Sequence, residues 1–104
     1  DILTYNSVLI ALAMLRRWRD ALTLYEEIKQ KGLRPDKLTY RALITALANG
    51  NKMDRALQVA SEMEGAGVEA DEETAALVHA IRDGEYVTGD EQVEVDEEGN
   101  VERA

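Results

Sequence analysis

DILTY at Asp1–Tyr5 and DKLTY at Asp36–Tyr40 are one segment met twice, at an interval of 35 residues. Laid over itself at that offset, the first block runs into the second without a gap. Asp1/Asp36, Leu3/Leu38, Thr4/Thr39, Tyr5/Tyr40, Ala11/Ala46, Leu12/Leu47, Ala13/Ala48, Ala21/Ala56, Leu22/Leu57, Glu27/Glu62 and Gly32/Gly67 are identical, 11 of 35 positions. These identities fall at expected helix starts, helix seams and one turn. A third copy opens at Asp71, where Thr74 and Val78 keep register before the pattern dissolves. A fixed period in this range signals a stacked array of supersecondary units.

Within the first unit, residues 4–15 (TYNSVLIALAML) carry Val8, Leu9, Leu12 and Leu15 at helical spacing, with Ala11 and Ala13 small enough for close neighbours. Asp1 or Thr4 is positioned to cap this helix. After RRWRD breaks the apolar pattern, residues 18–31 form a second helix with Trp18, Ala21, Leu22, Tyr25 and Ile28 on one face. Gly32 supplies a left-handed turn, and Pro35 stands where a helix cannot continue. The second unit repeats this. Thr39–Ala48 turns Leu43, Ile44 and Leu47 inward, Asn49-Gly50-Asn51 is a turn, and Met53–Glu64 sets Ala56, Leu57, Val59, Ala60 and Met63 on its apolar side. Gly65 and Gly67 end that helix, and a last one runs from about Asp71 to Arg82, stopping at Gly84. The expected fold is therefore all-α: a solenoid of stacked antiparallel helical hairpins. Its units are residues 1–35, 36–70 and a partial third at 71–84, followed by an acidic tail at 85–104. No hairpin buries its two short stripes alone, so neighbours supply the core.

The formal net charge of −9 is unevenly spread. Residues 1–70 carry nine acids and ten bases, residues 71–84 four acids against Arg82, and residues 85–104 eight acids against Arg103. The repeat body is thus near neutral and the acidity is terminal, so the whole-chain charge does not exclude a nucleic acid on the body. Cysteine is absent, which removes disulfides and thiolate metal sites. No apolar run approaches the roughly 20 residues that span a bilayer. The chain opens on Asp1 with no initiator Met, as a piece of a longer protein would.

TYNSVLIAL followed by W-x-x-AL-x-LYEEIKQKGLRPD, at a 35-residue period, resembles the pentatricopeptide repeat. The resemblance covers residues 1–70 well and 71–83 faintly. The 34-residue tetratricopeptide repeat fits less well, because its Trp, Leu-Gly and Tyr pattern in the first helix is missing. What the resemblance implies is a superhelix of hairpins, in mitochondrial or plastid proteins, binding single-stranded RNA at about one base per repeat. It also implies that the residue after the Thr-Tyr pair and the Asp closing the repeat read the base edge, here Asn6 with Asp36, a uracil-preferring combination. Leu3 and Leu38 would clamp the ring from both sides. Stacking of that kind contributes about 1–3 kcal/mol per base. In the second repeat the pair becomes Arg41 with Asp71, which can equally bind each other, and the clamp partner of Leu38 becomes Glu73. In the third, Ala76 takes the reading position. Late first-helix sites where the family often carries a cation for phosphate hold Met14 and Asn49. Arg16, Arg17, Arg19, Lys29, Lys31 and Lys52 are candidate phosphate contacts, and equally a solvated surface.

Trp18 stands in the place of Met53 and is expected in inter-repeat packing, and Tyr5 and Tyr40 are structural by the same equivalence. His79 is the only histidine, so no metal site is expected. No nucleophile–base arrangement or phosphate loop is visible. A non-enzyme without cofactor or small-molecule substrate is the expectation. In the tail, Val93 and Val95 alternate with acids ahead of Glu98-Gly99-Asn100 and Val101, which reads as irregular chain or a weak β-hairpin. Two functions follow. One is a segment of an organellar array, the chloroplast slightly favoured, that binds single-stranded RNA as a non-catalytic adaptor in processing, stability or translation. The other is a structural subunit of a large organellar assembly, docking proteins through degenerate repeats and the acidic tail.

Overall fold

Asp1, Asp36 and Asp71 each cap a helix, and each carboxylate accepts the backbone N–H of the threonine three residues on: Thr4, Thr39 and Thr74. A short acceptor before a helix satisfies one of the amides that the first turn leaves open. At Asp36 the exchange is reciprocal, since its own N–H donates to Thr39 Oγ1 and closes a capping box. These caps start α1 (Ile2–Met14), α3 (Lys37–Asn49) and α5 (Glu72–Arg82); α2 (Trp18–Gln30) and α4 (Met53–Gly65) lie between. The computed structural model describes residues 1–86 and, beyond them, the backbone of β1 (Val93–Val95) and β2 (Val101–Arg103).

All five helices end the same way. The residue at the left-handed position and the one after it bond back into the last turn, as in Arg17 N–H to the Leu12 carbonyl (2.9 Å) and Lys52 N–H to that of Leu47 (2.8 Å). Gly32, Gly67 and Gly84 fill three of these positions, whereas Asn51 and Arg16 fill the others at φ 60°. Within the expected Asn49-Gly50-Asn51 turn the left-handed residue is Asn51, and of the two glycines expected to end α4, Gly65 is its last residue and Gly67 makes the turn. Gly50 is needed for a different reason: Trp18 lies on it, and a methyl there would overlap the indole ring. Trp18 thus packs across repeats, as its equivalence to Met53 suggested.

The helices pair as α1–α2 and α3–α4, and α3 also contacts α1, α2 and α5. Being central, α3 buries Thr39, Tyr40, Ala42, Leu43, Ile44, Ala46, Leu47 and Ala48, while α1 buries only Asn6, Leu9 and Ala13. Of the apolar residues at helical spacing in α1, Leu9 is fully buried, whereas Val8 and Leu15 face outward, where among the described residues no element covers them. Behind α3, Tyr25 stands edge-on to Tyr40 at 6.0 Å and donates to Glu62 (2.7 Å), tying α2 to α4. Burial and that bond push the Tyr25 phenol well above its ordinary pKa. Tyr5 donates to Glu27 (2.7 Å) inside the first hairpin.

The packed helical hairpins make this an all-α solenoid. In the tail, β1 and β2 pair antiparallel, with Val93 opposite Arg103 and Val95 opposite Val101. The expected turn at Glu98-Gly99-Asn100 lies outside the described residues. Tyr86, just after α5, donates to Asn49 Oδ1 (2.6 Å) and returns the chain to the end of α3.

Candidate nucleic-acid interface

Asn6 and Asp36 are brought together by the α1–α3 joint. Asn6 Nδ2 donates to Asp36 Oδ1 at 3.0 Å, and Thr39 Oγ1 donates to Asn6 Oδ1 at 2.6 Å. Asp36 Oδ1 also accepts the Thr39 N–H, so one carboxylate both caps α3 and holds the amide of α1. Partial burial works against ionising Asp36, but the donors from Thr39 and Asn6 outweigh it and hold the carboxyl below its usual pKa. Asn6 is 3% exposed. Its two bonds tie both ends of the amide into the joint, with the nitrogen on Asp36 and the oxygen on Thr39. Leu3 and Leu38 are both exposed beside this joint, at 66% and 45%.

The second set is arranged differently. The Arg41 guanidinium bonds Glu73 and lies 3.8 Å from Asp71. Asp71 is held below the usual carboxylate range by the Thr74 N–H first, then the Thr74 hydroxyl, with the charges of Arg41 and Lys37 adding to it. Glu73, which the sequence set as the clamp partner of Leu38, bonds Arg41 across α3–α5. Ala76 is exposed on α5.

The candidate cations take other places. Arg16 is the left-handed turn residue. Arg17 pairs with Asp20 at 2.7 Å, and the Lys52 ammonium sits 4.9 Å from the centre of the Trp18 ring. Arg19, next to Trp18 in α2, also lies over its ring. Lys29 bonds Glu26 (3.1 Å) and lies over Tyr25.

Two features were not read from the sequence. Thr39 is the hub of the joint, and its recurrence with Thr4 and Thr74 was the available signal. A groove of about 360 Å³ between α1 and α3 is lined by Ile10, Met14, Leu38, Arg41, Thr45 and Asn49, among others. Its lining is mostly apolar, with Arg41 as its one charged residue. Among the described residues no cluster of three metal-ligating side chains forms, and no helix is long and apolar enough to cross a membrane.

Comparison with known proteins agrees with this architecture. A model of the PPR repeat family matches residues 1–49, and the PPR repeat model matches residues 38–68. The chain is 36% identical over 87 residues to pentatricopeptide repeat-containing protein 10, chloroplastic, of Zea mays, which covers 81% of this chain and 11% of that protein. It is 40% identical over 45 residues to the ATP4 homolog, chloroplastic, of Oryza sativa subsp. japonica (43% and 7% covered). A mitochondrial pentatricopeptide repeat-containing protein of Arabidopsis thaliana matches at 30% over 64 residues (62% and 9% covered). The chain spans about a tenth of the length of these relatives. With the 35-residue period, the paired helices and two overlapping family matches in agreement, the chain belongs to the pentatricopeptide repeat family.

Proposed function

We propose that this chain is a segment of an organellar pentatricopeptide repeat protein that binds single-stranded RNA and acts as a non-catalytic adaptor in RNA processing, stability or translation. Its chloroplastic and mitochondrial relatives support the organelle. The units are residues 1–35, 36–70, a partial third at 71–84 and the tail at 85–104. The observation that carries the reading is the Asn6–Asp36–Thr39 joint flanked by exposed Leu3 and Leu38. In it a base stacks between the leucines with its edge toward the Asn6–Asp36 pair. Arg41 with Asp71 is a poor second reader, being engaged with Glu73. Arg16, Arg17 and Lys52 are secondary phosphate contacts.

Magnitude limits what this segment does alone. One stacked base contributes about 1–3 kcal/mol, against about 8 kcal/mol for micromolar binding. The segment therefore acts within a longer array. The test is RNA binding by the intact protein across a salt series, comparing wild type with Asn6→Ala/Asp36→Ala. A uridine-dependent loss, with affinity falling as salt rises, is the expected result. Equal affinity in both proteins sinks the base-reading role.

The apolar groove favours a second reading, in which the repeat surface docks a protein of a large organellar assembly. Ile10 and Met14 stand exposed there. Unchanged RNA affinity in the double variant would direct attention to that groove and to the acidic tail.

A further inference from the structure

Near its start α3 carries the exposed Leu38 and, one turn on, Arg41, which reaches across to α5. Arg41 Nη2 donates to Glu73 Oε2, and Arg41 Nη1 lies 3.8 Å from Asp71 Oδ2. All three charged side chains are at the surface, Glu73 the most open at 71%. The two acids have different tasks. Asp71 Oδ1 accepts the Thr74 N–H at 2.8 Å and caps α5. Glu73 shares the first turn of α5 with Glu72, which also complements the positive end of that helix. The Glu73 carboxylate goes instead to Arg41. By the 35-residue period Glu73 is the equivalent of Leu3 and Leu38, so an acid stands where two units hold an exposed leucine. Lys37, whose charge acts on Asp71, and Arg41 balance Asp71 and Glu73. Without Glu73 the same patch carries one net positive charge.

A guanidinium is a planar fork of five N–H donors and accepts nothing. A carboxylate fits that fork, and so do O6 and N7 of guanine, which are acceptors side by side. Adenine sets an N–H donor beside its N7 and fits the fork less well. Glu73 and a guanine edge are therefore competitors for Arg41, and Leu38 is the apolar surface nearest to it along α3. We propose that Glu73 decides the specificity of the second unit: it keeps Arg41 off a base and leaves a guanine-reading site of Leu38 and Arg41 silent. Glu73 acts through Arg41 and is a positioning residue. Its surface ion pair is screened by water, so its replacement leaves the fold in place. This inference rests on the RNA reading above.

The test selects RNA from a fully randomised single-stranded pool with the intact protein. Wild type, Glu73→Leu, Glu73→Gln and Glu73→Leu/Arg41→Ala are compared. Sequencing the bound fraction shows any base preference that appears in a variant and is absent from wild type, and titration of matched oligonucleotides gives its size. Glu73→Leu should gain a preference of about tenfold for guanine over adenine at one position. Glu73→Gln removes the charge without adding an apolar surface and should gain a smaller one. Adding Arg41→Ala should abolish the gain. Wild-type preferences in Glu73→Leu overturn the proposal and leave the Asn6–Asp36 reading standing. So does a steeper salt dependence without a guanine preference, which would assign the released Arg41 to a phosphate. RNA retained by none of the four proteins sinks the RNA reading, and this inference with it.

Discussion

The α1–α3 joint and the α3–α5 joint are built on the same repeat positions, yet they hold by different physics. Both use an aspartate that caps the second helix and a threonine three residues later. Into the first comes the neutral amide of Asn6, enclosed with Thr39 and bonded on both sides. Into the second comes the cation of Arg41, shared between Asp71 and Glu73 at the surface. A buried hydrogen-bonded group is expensive to disrupt, since its partners are left without water. An exposed ion pair is screened and contributes about 0–1 kcal/mol. One helix cap therefore supports both a firm joint and a soft one, and the residue arriving from the neighbouring helix decides which.

The largest test of that contrast is in the apolar layer. Leu43 and Val78 are period equivalents facing the preceding helix, 0% and 9% exposed. Leu43→Ala should cost about 2–5 kcal/mol and Val78→Ala about 1.6 kcal/mol, two methyl groups' worth. Urea unfolding of both variants measures this, and equal losses would break the distinction between the joints. Next come the polar residues themselves. Asn6→Ala strands Thr39 and Asp36 and should cost about 1–3 kcal/mol; Arg41→Ala should cost about 0–1 kcal/mol. In 1 M salt, where screening acts within about 3 Å, the Arg41 effect should vanish while that of Asn6 persists.

Acid sharpens the comparison further. The native Asp36 carboxyl is held below its unfolded value, so its contribution is complete above about pH 4 and is lost as pH falls through the depressed native value. Asp36→Asn should flatten the stability profile below that pH, read by thermal melts from neutral to acid. A profile parallel to wild type would remove Asp36 from the joint's energetics. The smallest expected effect concerns Arg16. Relief of a left-handed arginine at about 1–2 kcal/mol is partly cancelled by the roughly 0.5–1 kcal/mol entropic cost of glycine. Arg16→Gly should therefore stabilise by under about 1 kcal/mol, and a clear loss of stability would show that the Arg16 side chain holds the turn.

Much of this was legible beforehand, because it is local. Asp–x–x–Thr recurs at the starts of α1, α3 and α5, although the sequence left Asp1 and Thr4 both open as the first cap, and Gly32, Gly67 and Gly84 encode left-handed ends. The helices lay within a few residues of their expected bounds, and Asn6 and Asp36 did come together. The misses were all matters of neighbours. Gly50 lies in the turn as read, but its second role, as the floor beneath Trp18 32 residues away in sequence, was not visible. Val8 and Leu15 fitted an apolar pattern but face outward, since a pattern marks a face without naming what covers it.

Sequence alone determined the period and the hairpins, since these depend on residues within one or two turns of each other. Tertiary structure decided which copy is central, that Thr39 joins Asn6 to Asp36, and that Arg41 turns to Glu73. Those outcomes depend on distance between helices. Identical repeat positions become a closed joint, a surface ion pair or an open face according to what the neighbouring helix brings within reach.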